Sequence, residues 1–246
     1  MTAKDHKTVE GVMTIKKGKL RGYESEGMLC SGVELGVSGN MYPGADYNGL
    51  LVLPEDAKTG SDVKPVLGLD DWIFDIAITA NRPDCQSIIG IAREIAAVLN
   101  KEFKMPDLSY TPSGEVKEGF KVDVKANDLC PRYIACYVSD VKIKEAPLWM
   151  KRRLALTGMD SISNIVDITN YVLKEFGQPM HAFDCNYLEG NEINVRRAAD
   201  GEKIVTLDSQ EYELNSNNLV ICDGVKAVAL AGVMGGLNSE IRDTTS

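Results

Sequence analysis

Histidine is the scarcest titratable residue in this 246-residue sequence: His6 lies in a polar N-terminal stretch and His181 in the segment GQPMHAFD, residues 177–184. A single histidine makes no metal site, and no Ser or Cys nucleophile stands beside His181 in a recognisable elbow, so neither a zinc centre nor a hydrolase triad is signalled. Long apolar runs are also missing. None approaches the roughly 20 residues that span a bilayer, and the start, MTAKDHKTVEGV, lacks the apolar stretch of a signal peptide. The expectation is a soluble, cytoplasmic protein with no membrane partner. Six cysteines at 30, 85, 130, 136, 185 and 222 form no CxxC pair and no zinc-type spacing, which predicts reduced structural thiols.

Basic charge is scarce too. The formal net charge is −9, which argues against the whole chain acting as a simple nucleic-acid clamp, because phosphate binding relies on clustered Lys and Arg. The exception is residues 1–22, where Lys4, Lys7, Lys16, Lys17, Lys19 and Arg21 outnumber Asp5 and Glu10 for a local charge of +4. Such a run is either a solvated face or an RNA contact.

Apolar residues make up 44% of the chain, enough for one large or two ordinary cores. TIKKGKLRGYESEG suits turns and brief strands. GLLVLPEDA (49–57), DDWIFDIAIT (70–79), FKVDVKA (120–126) and YIACYVSDV (133–141) read as strands, the second by its period-two alternation. QSIIGIAREIAAVLN reads as a helix with Ile88, Ile91, Ala92, Ile95 and Leu99 on its apolar face and Asp84 as N-cap. Residues 104–118 carry Pro, Ser and Gly without periodicity and read as a linker. Two further helices follow, APLWMKRRLALTG (146–158) and ITNYVLKEFG (168–177), the latter turning Val172, Leu173 and Phe176 inward and stopping at Gly177. Four strand-like pieces come last: EINVRRA, KIVTLD, NLVICD and KAVALAG. Strands clustered apart from helices predict an α+β fold with mixed or antiparallel sheets and few helices.

Three pieces of the C-terminal half are candidates for one pocket: Thr169 and Asn170 in the second of these helices, His181 beyond it, and the glycine cluster AGVMGG (231–236) with Gly232 and Gly235. Gly177 and Pro179 stiffen the approach to His181. Either His181 is a packed imidazole satisfied by a carbonyl or by Asp184, or it is a fixed recognition group. GxxGG is neither a dinucleotide fingerprint nor a P-loop, and marks either a tight turn or a close approach of backbone to ligand.

Taken together, IKKGKLRGYESEGMLCSGVELG, ITANRPDCQSIIGIAREIAAVL, PLWMKRRLALTGM, VDITNYVLKEFGQPMHAFD and LAGVMGGLNSEI resemble, in order, the bacterial phenylalanyl-tRNA synthetase beta-subunit family. The resemblance implies a multi-domain fragment of a longer subunit. Residues 1–48 would be the C-terminal end of an OB-type tRNA-binding module, 49–108 a B1-like domain, 109–118 a linker, and 119–246 a truncated B3/B4 editing domain. It implies a ligase subunit that supports ATP-dependent attachment of phenylalanine to tRNA(Phe) and hydrolyses mischarged Tyr-tRNA(Phe). The partners would be an alpha subunit in a heterotetramer, tRNA(Phe), and the tyrosine moiety of the mischarged tRNA. ATP and Mg²⁺ would serve the whole enzyme, with no cofactor in this fragment. The family's editing positions fall on Thr169, Asn170, His181, Gly232 and Gly235, with His181 and Asn170 orienting the ester or its water. A family glutamate that reads the tyrosyl hydroxyl would lie beyond Ser246, so the isolated fragment is expected to be inactive. Asp160 stands where relatives often carry a basic residue. The other reading is a non-catalytic module that positions tRNA or joins subunits.

Overall fold

The computed structural model describes residues 15–112 and 119–246. His6, Lys4 and Lys7 of the basic run and residues 113–118 of the linker segment fall outside the described residues. Packing divides the chain into two compact units, Met1–Ala77 with Ala146–Ser161, and Ile78–Glu145 with Ile162–Ser246.

In the first unit, β1 (Gly18–Leu20) and β2 (Tyr23–Ser25) form an antiparallel hairpin. Arg21 and Gly22 both have positive φ, the geometry of a two-residue hairpin turn. The core gathers Val37, Met41, Tyr42, Ala45 and Leu67. Leu67 ends the short helix α1 (Lys64–Leu67). The segment 49–57 forms no strand here. Leu51 and Leu53 still pack against this core while Leu50 and Val52 face out, so its alternation is spent on burial without a ladder.

The second unit holds α2 (Ile88–Val98) and β3 (Lys121–Val124). α3 (Leu148–Leu156) intervenes in the chain but belongs to the first unit, and α4 (Asn164–Phe176) returns to the second. β4 (Glu192–Arg197), β5 (Lys203–Val205), β6 (Glu211–Glu213), β7 (Leu219–Cys222), β8 (Ala227–Leu230) and β9 (Met234–Gly235) follow. A five-stranded sheet runs β3-β4-β7-β8-β9, parallel between β3 and β4 and antiparallel elsewhere, with β5-β6 a separate hairpin. The fold is α+β. No helix among the described residues is long and apolar enough to cross a membrane.

Alternation sends side chains to both faces of this sheet. Val220, Cys222 and Ala227 meet Ala198, Ile204 and Leu214 on one side. Ile193, Val195 and Val228 meet Leu188 on the other, with Phe183 packed against them. Each large apolar side chain so buried contributes on the order of 1.5–3 kcal/mol.

Further expectations fail. Residues 70–79 and 133–141 form no strand: Trp72, Phe74 and Ile76 are all exposed, and among the described residues neither segment pairs in a ladder with another strand. The N-cap of α2 is Ser87, whose hydroxyl accepts from the Gly90 amide at 3.1 Å, and not Asp84. Asp84 instead takes both arms of its contact from Arg82, at 3.1 and 2.8 Å, in the turn before the helix. Ile88, Ile95 and Leu99 lie exposed, and the buried side of α2 is centred on Ile89 and Gly90. α4 starts four residues before Ile168, capped by Ser163.

Candidate functional site

α4 is held at both ends by local chemistry. The Ser163 hydroxyl accepts from the Val166 amide at 3.4 Å, and Gly177, at φ 74°, donates its amide back to the Leu173 carbonyl. The left-handed turn at Gly177 releases the chain into GQPMHAFD. Within α4, Val172, Leu173 and Phe176 are half-buried, and α4 packs on α2. Thr169 and Asn170 are half-buried as well. The Thr169 hydroxyl donates to the Val166 carbonyl at 2.7 Å, which commits its one proton and leaves its oxygen as an acceptor.

At the far end of the sheet, β8 turns into β9 through Ala231–Val233, with the Val233 amide donating to the Leu230 carbonyl at 3.0 Å. Gly232 sits at the third position of this turn at φ 72°, where a residue with a β-carbon is strained. Two contacts from the β5-β6 hairpin hold β9 from outside: the Leu207 amide donates to the Gly235 carbonyl at 3.0 Å, and Thr206 bridges Gly236.

His181 lies on Gly235. A β-carbon added at Gly235 would fall inside the imidazole, so this glycine is the clearance that lets the ring rest on the sheet edge. Phe183 meets the imidazole edge-on, with centroids 4.7 Å apart and planes at 74°. His181 is otherwise exposed to solvent. Burial of its inner face pushes the pKa below the ordinary 6.5, and no charged neighbour contributes to that shift. At neutral pH the imidazole is therefore neutral, with a lone pair able to accept a proton.

Asp184 does not satisfy His181. Its oxygens accept from the Asn186 amide at 2.9 Å and the Thr245 hydroxyl at 2.7 Å. The structure thus joins His181 with Gly235, places Gly232 at the turn behind them, and leaves Thr169 and Asn170 on α4. No hydrogen bond or ring contact among the described residues links these two to the imidazole. Asp160 accepts from the Asn40 side chain at 3.0 Å within the first unit. Phe183 and Asp184 were visible within GQPMHAFD only as neighbours of His181, and Thr245 carried no sequence signal at all.

Asp84, Cys85 and Glu94 form a group whose ligand atoms lie close enough to hold a metal ion. The Arg82 guanidinium already occupies it, bonding both carboxylates, and holds Asp84 down at about 2. The guanidinium supplies the positive charge an ion would bring.

Residues 129–246 match the B3/4 domain family. Over 238 residues, 96% of this chain, the sequence is 50% identical to the phenylalanine–tRNA ligase beta subunit of Syntrophus aciditrophicus. It is 51% identical over 237 residues to the protein of that name from Geobacter sulfurreducens, and 50% over 240 residues to that from Clostridium acetobutylicum. The chain belongs to the phenylalanine–tRNA ligase beta-subunit family. It spans about three tenths of the length of these relatives, 29% of the first two and 30% of the third. Within this family framework, the His181–Gly235 contact lies wholly inside the B3/4 domain.

Proposed function

We propose that the chain is part of a ligase that attaches phenylalanine to tRNA(Phe), and that its B3/4 part is the editing site that hydrolyses Tyr-tRNA(Phe). The need for editing is physical. An apolar pocket for phenylalanine rejects an analogue that merely adds a hydroxyl by only about 10²-fold. A second pocket that binds that hydroxyl reverses the preference, because phenylalanine would leave its buried polar partners unpaired.

The carrying observation is the His181 imidazole seated on Gly235 without a carboxylate partner among the described residues, where burial lowers its pKa. In the proposed reaction His181 accepts a proton from the water that attacks the ester carbon and passes it to the ribose oxygen as the ester C–O bond breaks, while Asn170 orients the ester. Thr169 Oγ1 lines the polar wall as an acceptor. Gly232 and Gly235 keep the backbone of β8 and β9 clear for the ring and the substrate. The division into residues 1–48, 49–108, 109–118 and 119–246 belongs to the same reading. So do a cytoplasmic setting, tRNA and a heterotetramer with an alpha subunit as partners, and ATP with Mg²⁺ for the aminoacylation step.

Deacylation of Tyr-tRNA(Phe) by the full-length two-subunit enzyme tests the site. His181→Ala should lower it by roughly 10²-fold or more while Phe-tRNA(Phe) synthesis continues. Unchanged deacylation by a folded variant would return His181 to a packing role.

A further inference from the structure

We propose that Asp184 and Thr245 form a clasp that positions His181 on Gly235. Both are positioning residues, since neither touches the imidazole. The inference rests on reading His181 as a site group and adds the device that sets its pose.

The connection runs through consecutive contacts. β8 anchors the segment just past Gly235: the Gly236 amide donates to the Val228 carbonyl at 2.7 Å, the Asn238 side chain to the Ala227 carbonyl at 3.0 Å, and the Ser239 hydroxyl to the Val228 carbonyl at 3.3 Å. Ser239, fully buried, then receives the Asp184 amide on its carbonyl at 3.1 Å. Asp184, 2% exposed, closes the loop with its carboxylate on Thr245 and Asn186. The Thr245 hydroxyl also accepts from the Arg242 amide at 2.9 Å, so one group both closes the 242–245 turn and donates to Asp184. The Arg242 guanidinium lies 4.7 Å over the Tyr187 ring and bonds its hydroxyl at 3.3 Å, tying that turn to the residues just after Asp184.

His181 is three residues from Asp184, with Phe183 seated between them against the Val228 core. A buried carboxylate must keep its partners, because leaving one lone pair unmet costs more than the bond itself contributes. The position of Asp184 is therefore specified sharply. The short span to His181 passes that definition to the ring.

The sequence holds two histidines, so imidazole NMR of the 246-residue chain reads the ring directly, with His6→Gln assigning the second signal. Thr245→Val removes the hydroxyl and keeps the shape. The His181 pKa should rise toward 6.5 and its contacts to Gly235 should weaken, while Thr245→Ser should restore both. Unchanged pKa and contacts in a folded Thr245→Val chain would overturn the clasp. If that variant does not fold, the wild-type chain decides. A Thr245 hydroxyl proton protected from exchange and close to Asp184 supports the clasp, and a freely exchanging one overturns it. In the two-subunit enzyme, Thr245→Val should lower Tyr-tRNA(Phe) deacylation on the order of tenfold to a hundredfold, with Thr245→Ser active. The NMR result stands whatever His181→Ala does to hydrolysis, so the clasp and the editing assignment fail separately.

Discussion

At Gly235 the absence of one methyl group decides where an imidazole rests. Gly235→Ala should force His181 off the sheet edge, destabilising the chain by about 1–3 kcal/mol in urea unfolding and raising the His181 pKa as the ring gains water. A retained low pKa in that variant would show that Gly235 is not the seat of the ring. Proton linkage gives a second expectation. Because the native pKa of His181 lies below the unfolded 6.5, the unfolded chain binds the proton more readily between those two values. The contribution of this residue to stability is thus complete above pH 6.5 and lost as pH falls through that window. His181→Gln should flatten this part of the stability profile. The special position of His181 was legible from its rarity and its Gly-x-Pro approach. Its contact was not, because Gly235 lies 54 residues downstream and only folding brings them together.

Elements were legible where local chemistry settles them. α3 and the end of α4 follow from Pro147, Gly158 and Gly177, and the four C-terminal strand-like segments do form strands, as β4, β5, β7 and β8. The N-cap of α2 was misread because Asp84 and Ser87 both suit the position, and Arg82 draws the aspartate away. Ser87→Ala should therefore cost about 1 kcal/mol in thermal unfolding, whereas Asp84→Ala should leave the first turn of α2 intact by amide exchange. Gly90 is more demanding, since a β-carbon there would collide with the Asp84 carbonyl. The segments 70–79 and 133–141 carry strand-like patterns without strands, because alternation fixes which side chains can share a face and says nothing of whether a partner edge is available.

Over the whole molecule, the six free thiols give a ranking that checks the packing. Cys136 is exposed, while Cys85 and Cys222 are buried, with the Cys222 thiol pushed up to about 11 by burial. A thiol reagent at pH 8 should modify Cys136 first and Cys222 last, since the thiolate is the reacting form. Early reaction of Cys222 would contradict the β7 pairing. The α+β class and the family were legible in the sequence; the division into two units was not, because residues 146–161 pack with an earlier part of the chain.

That returning segment also orders events during synthesis. Ala155 and Leu156 belong to the core of the first unit, and the Arg152 guanidinium bonds the Met41 carbonyl at 2.7 Å and the Val66 carbonyl at 3.0 Å. Residues 15–77 therefore leave the ribosome without their last core side chains. At about 5–20 residues per second the wait from Ala77 to Ser161 lasts roughly 4–17 s. For that interval the nascent chain carries an open apolar surface, a target for chaperones before its first core is closed.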